Sequence, residues 1–208
     1  MRDERLVRRA LAAMFSYAVG RGRPPTLDEL ASELGLERGT VEELVSELVE
    51  RGLATRDLRL TDRGRGMIRV GLIGGVFDIL HVGHIETLRE AKKMVDVLAV
   101  VVARNSTVRR FKGRDAVMDE RDRVRIVSSL KYVDVAVLGS EEDFMRPVEL
   151  IGPDVIFLGY DQEMPPQLRG KIPEDKVVRL GVRVDNVKTS AIIGLQGPLR
   201  ARAATVSP

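Results

Sequence analysis

Cysteine and tryptophan are absent from this 208-residue chain, histidine occurs only twice, and aromatic residues make up 4% of it. The missing cysteine excludes disulfides and thiolate chemistry, and it fits a reducing, cytoplasmic compartment. Long apolar runs are missing too. The longest, such as Val97–Ala103, have the length of strands, so no segment can form a helical membrane span. The charged N-terminus carries no apolar signal region. Nor does one sign of charge dominate. The formal net charge is +3, and residues 1–68 hold twelve arginines against twelve acids, which leaves the whole excess in residues 69–208. That balance argues against a basic nucleic-acid-binding module at the N-terminus. What is present suffices for one ordinary domain and one small one.

Both histidines fall between Gly74 and His84, in the stretch GGVFDILHVGH. An apolar run (Ile68, Val70, Leu72, Ile73) precedes the glycines, and a helical pattern follows His84. A strand, a glycine turn and a helix in that order expose backbone amides at the positive end of the helix, which suits a phosphate. His81 and His84, three positions apart, lie roughly on one helix face and add donors to the same anion. Zinc would need carboxylates from elsewhere, since no cysteine or third histidine exists.

The chain divides near residue 68, into residues 1–67, residues 68–195 and a tail at 196–208. Residues 4–19 carry a helical stripe (Val7, Ala10, Leu11, Met14, Phe15, Ala18) that Leu6, Ala13 and Tyr17 widen. Thr26 to Glu29 is a capping box that opens a second helix, and Gly35 stops it. Thr40 to Glu43 is a second such signal, within or at the start of a third helix that Gly52 closes. Leu58, Leu60 and Thr61 before Asp62–Gly66 predict a short wing hairpin. Three helices and a wing resemble the winged helix-turn-helix of many prokaryotic regulators. The presumed recognition helix, however, carries Glu42, Glu43, Glu47 and Glu50 with Arg38 as its only base, which disfavours DNA. Arginines 56, 59, 63 and 65 on the wing compensate in part. A packing or dimerisation module is the preferred expectation, and the wide apolar surface of the first helix would serve it.

From residue 68 onward strand-like runs (69–74, 97–102, 133–138, 155–158, 177–184) alternate with helical ones (83–94, 120–131, 143–150, 189–195). Alternation predicts an α/β fold, a Rossmann-like parallel sheet covered by helices, with ligands at the carboxyl ends of its strands. The stretch Arg104 to Arg114 reads as a basic loop at that edge, with Arg104, Arg109, Arg110, Lys112 and Arg114 and no acid among them.

GGVFDILHVGH resembles the first signature of the HxGH nucleotidyltransferases, in their cytidylyltransferase-like branch. The likeness continues through VARNSTVRRFKGRDAVMDERDRVRIVSSLKYVDVAVLG, PDVIFLGYDQ and KTSAII, and so covers residues 69–195 in order. It is nearest to the archaeal FAD synthetases and more distant from the glycerol-3-phosphate cytidylyltransferases, which often have tryptophan where this chain has Val82. The resemblance implies transfer of a nucleoside monophosphate from a triphosphate to a phosphate-bearing acceptor, with release of pyrophosphate. ATP with FMN is the first expectation, CTP with an alcohol phosphate the second, and a nucleotide-responsive DNA-binding regulator the third. It further implies Mg2+ and a homodimer.

The same resemblance distributes roles. Gly74, Gly75, Val76 and the helix start near Gly83 would cradle phosphates, with His81 and His84 as donors to the α- and β-phosphates. Phe77 either packs in the core or contacts the base; Asp78 either holds a magnesium water or caps the helix. Lys112, in the matching KGR, would clamp a phosphate. Arg123 matches a phosphate-contacting position, with Arg121 as its fallback, and Arg109 and Arg110 are candidates for the acceptor phosphate. Gly159 and Asp161 end a strand at the crevice, where Asp161 either accepts ribose hydroxyls or merely turns the chain. Lys188, Thr189 and Ser190 open the last helix, where the hydroxyls would cap it and meet the triphosphate.

Overall fold

A computed structural model describes residues 3–182 of the chain. Asp3 caps the first helix, α1 (Glu4–Arg21), by accepting from the Arg5 N–H. Thr26 and Glu29 form the expected capping box at the head of α2 (Leu27–Leu34). The second such signal lies inside α3 (Arg38–Glu50), whose N-cap, Glu37, makes no side-chain cap bond. The predicted wing is reduced to one antiparallel bridge, Ala54 with Leu60. Asp62–Arg65 is not part of a hairpin but a short helix, α4, because the Thr61 hydroxyl accepts from the Gly64 N–H and caps it.

The alternating half folds as five parallel strands: β1 (Val70–Gly75), β2 (Val97–Val102), β3 (Val135–Leu138), β4 (Val155–Leu158) and β5 (Val177–Arg179), in the order β3-β2-β1-β4-β5. Their near-continuous valine, leucine and isoleucine content reflects burial on both faces. The order reverses between β1 and β4, and ligands of such sheets bind outside the carboxyl ends at that point. The last predicted strand ends at Arg179; its residues 183–184, the helix expected over 189–195 and the tail at 196–208 lie outside the described residues.

Alternate residues of β1 and β2 enter two separate cores. Ile73, Leu98, Val100 and Val102 meet Leu88 of α5 (Val82–Lys92) and Val127 of α7 (Glu120–Ser128) on one face. Leu72, Val97 and Ala99 meet Val148 and Ile151 of α8 (Met145–Ile151) on the other. The second core also contains Val7, Leu11 and Met14, since α1 packs across β2 and β3. The wide apolar surface of α1 is thus covered within the chain, by α2 and α4 on one side and the sheet on the other.

The amino ends of the strands carry a repeated device. Asp96, Asp134 and Asp154 each stand one residue before a strand, and each carboxylate accepts a backbone N–H of a neighbouring chain segment (Arg69, Leu98 and Val70, at 2.6–2.7 Å). Each also holds a cation: Arg8 for Asp96, Lys92 for Asp134 and Arg65 for Asp154. Two of those cations come from the N-terminal helices, which therefore pin the end of the sheet remote from the glycine turn.

The stretch read as a basic loop is largely helical, α6 (Asn105–Lys112), with Gly113 ending it at φ 63°. Only Val108 of α6 is buried, so no apolar stripe announces it. The helix is anchored instead by polar bonds: the Glu120 carboxylate accepts from Asn105 N–H and pairs with Arg104, each at 2.8 Å.

Candidate active site

At the carboxyl edge of the sheet lies a cavity of about 960 Å³, floored by Gly74, Gly75 and Val76 and walled by His81, Gly83 and His84. Strand β1 delivers the glycines there, and the chain then reverses through Phe77, whose φ of 51° is left-handed. A buried phenylalanine seldom takes that conformation, which costs roughly 1–2 kcal/mol. Its ring is 5% exposed and seated over Gly75, where a β-carbon would come within 2.8 Å of it. That close approach requires glycine at 75. The same ring lies 5.4 Å from His84. Phe77 thus packs over the glycine turn and beside an imidazole, and it also lines the cavity.

His81 occupies the N-cap of α5, and the His84 ring stacks beside it at 3.9 Å between centroids. The His84 Nδ1 accepts from the backbone N–H of His81 at 3.4 Å, so Nε2 is the nitrogen that carries the proton of the neutral ring. Among the described residues His81 Nδ1 is buried with no hydrogen-bond partner. Burial lowers the pKa of His81, and burial with the charges of His81 and Lys112 holds His84 down to about 4. Both rings are neutral at pH 7, and each offers one N–H to an anion beside the positive end of α5.

The depressed pKa of His84 makes a prediction for stability. Between pH 4 and 6.5 the unfolded chain binds more protons at this residue than the folded one, so stability rises with pH across that window. Acidification from pH 7 to 4 should remove about 2 kcal/mol through His84, discounted for its partial exposure. His84→Gln should flatten that part of a urea-melt pH profile; an unchanged slope would contradict the assigned burial.

The remaining candidates separate. Lys112, at the end of α6, lines the cavity, and so does Arg114. Asp78 is 2% exposed and accepts from Val117 N–H (2.8 Å), Met118 N–H (3.1 Å) and Arg114 (3.1 Å). Its carboxylate thus folds the 114–118 segment over the turn instead of capping α5. Arg123 does not reach the cavity. It is fully buried, donating to the carbonyls of Val76 (2.6 Å), Ala103 (2.9 Å) and Met118 (3.2 Å) and to the Asn105 side chain (2.6 Å). A guanidinium so engaged joins the glycine turn to the segments at 103–105 and 118. Arg109, Arg110 and Arg121 are exposed and also lie off the cavity. Arg109 pairs with Asp115 at 2.7 Å, and Arg110 lies over the Phe111 ring.

On the β4 side Gly159 and Asp161 line the cavity. Gln162, to which the sequence reading assigned no role, ties the two strand tips together. Its Nε2 donates to the Gly74 carbonyl at 2.8 Å, and its Oε1 accepts from the Gly159 N–H at 3.2 Å. Lys188, Thr189 and Ser190 lie outside the described residues. Among the described residues no three His, Cys, Asp or Glu side chains gather as a metal cage.

The cytidylyltransferase-like family model matches residues 72–192, and a model described as wHTH-PRTase associated matches residues 18–71. The FAD synthase of Thermoplasma acidophilum is 44% identical over 132 residues, covering 61% of this chain and 92% of that protein. The FAD synthase of Archaeoglobus fulgidus is 47% identical over 116 residues, covering 53% and 83%. A crystal structure of the lipopolysaccharide core biosynthesis protein from Thermoplasma volcanium superposes with a TM-score of 0.52 at 44% identity, covering 56% of this chain and 99% of that one.

Proposed function

From the premise that this chain belongs to the cytidylyltransferase-like family, we propose that it is the nucleotidyltransferase that joins ATP and FMN into FAD with release of pyrophosphate. FAD synthase relatives at 44–51% identity support that pair of substrates. The single observation that carries the chemistry is the neutral histidine pair at the head of α5, beside the bare glycine turn.

An oxygen of the FMN phosphate attacks the α-phosphorus of ATP, a new P–O–P bond forms, and the bond to the β-phosphate breaks in line. A phosphate monoester, with a second pKa near 6, is already anionic and needs no base. The work left to the protein is placement and charge stabilisation. His81 and His84 donate hydrogen bonds to α- and β-phosphate oxygens, and the neutral His84 holds its proton throughout. Lys112, which lines the same cavity, supplies positive charge beside them. Gly74, Gly75 and Gly83 let the phosphates approach backbone amides, while Asp161 faces the ribose.

The donor set fits Mg2+ as a companion of the triphosphate, whose own oxygens supply most ligands. Mg2+ would come with the nucleotide and would offset its phosphate charge, while Asp78 is committed to Arg114 and two amides. The acidic face of α3 speaks against DNA, since its only base, Arg38, pairs with Asp28 and Glu42.

Purified protein given ATP or CTP with FMN, glycerol 3-phosphate or ethanolamine phosphate tests the assignment by pyrophosphate release. Turnover with ATP and FMN is expected to exceed every other pair. Turnover confined to CTP and an alcohol phosphate would replace it with cytidylyl transfer.

A further inference from the structure

The cavity is lined from both sides of the sheet's carboxyl edge, giving it an α5 side and an α8 side. The α5 side holds the histidines and Lys112. The α8 side is built from Leu72, Ile156, Phe144, Pro147, Val148 and Leu168, all apolar and all but Pro147 packed in or beside the core that α1 shares. Between them the strand tips are bare glycine: a β-carbon on Gly74 would meet nothing nearer than 3.9 Å, and one on Gly139 nothing nearer than 3.4 Å. A flat molecule can therefore cross the edge from one side to the other.

At the mouth of the apolar side Phe111 is 51% exposed, and its ring meets Phe144 edge-on at 6.0 Å and 86°. Arg110 lies over the same ring at 5.0 Å. Such an aromatic corner leaves a phenyl face in water, which a stacked planar ligand would cover. At about 960 Å³ the cavity stands near the upper end of small-molecule sites, roughly 300–1,000 Å³, which is room for two ligands side by side.

We propose that the α8 side is the acceptor-ring subsite, in which Phe111 and Phe144 hold the tricyclic flavin while its phosphate reaches Lys112 and the histidines. This rests on the FMN assignment above. The two rings of the substrates sort by their edges. Adenine presents nitrogen around its perimeter and needs polar partners, which an apolar slot does not supply. The dimethylbenzene edge of a flavin presents no hydrogen-bonding atom, and an apolar slot leaves nothing on it unsatisfied.

The test is Phe111→Ala in the full chain, at a position exposed enough to leave folding intact. Flavin fluorescence titrations with FMN and with riboflavin should both weaken about tenfold, the usual scale for one lost stacking partner. The KM for FMN should rise by a similar factor while the KM for ATP moves less than about twofold. Phe111→Trp should restore flavin binding. If wild type turns FMN over and Phe111→Ala leaves both titrations unchanged, the subsite is wrong and the reaction stands. A rise in the KM for ATP alone would give the α8 side to adenine and overturn the proposal. A wild type that neither binds nor turns over FMN overturns the reaction assignment and the subsite together.

Discussion

His84→Ala lowers kcat by about 10²–10³-fold, the scale of losing one preorganised donor to developing phosphoryl charge. The size follows from the state of the ring. At a pKa of about 4 it is neutral at working pH, and its Nδ1 accepts from the His81 amide. Only Nε2–H of this ring remains to meet the nucleotide. The donor matters most as negative charge builds on the α- and β-phosphate oxygens, so the loss falls on kcat more than on the KM for ATP. Steady-state pyrophosphate release, with a thermal melt to show that the variant is folded, measures it. Turnover within about threefold of wild type would remove His84 from the chemistry.

Arg123→Met destabilises the fold by about 3–5 kcal/mol, the scale for leaving several buried acceptors without their donor at about 1–3 kcal/mol each. The methionine stem fills much of the volume but leaves the carbonyls of Val76, Ala103 and Met118 without the donor that now joins them. For a chain of this length the thermal midpoint should fall by roughly 10 °C. Turnover should fall as well, because the Val76 carbonyl belongs to the glycine turn. Urea melts separate this account from the phosphate-contact role that resemblance implied. A variant with wild-type stability and greatly reduced turnover would return Arg123 to the substrate.

The alternation of strands and helices was legible because four of the five parallel strands are largely apolar runs of four to six residues. The glycine turn was legible because two histidines and two adjacent glycines share one strand–turn–helix junction. Helix α6 was not, since a helix with one buried residue leaves no apolar period to read. Nor was the placement of α1, because an apolar stripe does not say which surface will cover it. The sequence suggests a phosphate contact for Arg123 and a magnesium or helix-capping role for Asp78, but it does not show that both side chains bond backbone groups. A sequence shows residue type and spacing, not which carbonyls converge. One missed signal was present. Asp96, Asp134 and Asp154 each precede a valine that opens a strand, a repeat that marks where neighbouring backbone amides need an acceptor.

A crystal structure of the full chain with a non-hydrolysable ATP analogue bears most directly on the site. The account places α- and β-phosphate oxygens about 3 Å from the ring nitrogens of His81 and His84, above Gly74 and Gly75, with adenine toward Gly159. Phosphates bound elsewhere, with both imidazoles facing water, would contradict it.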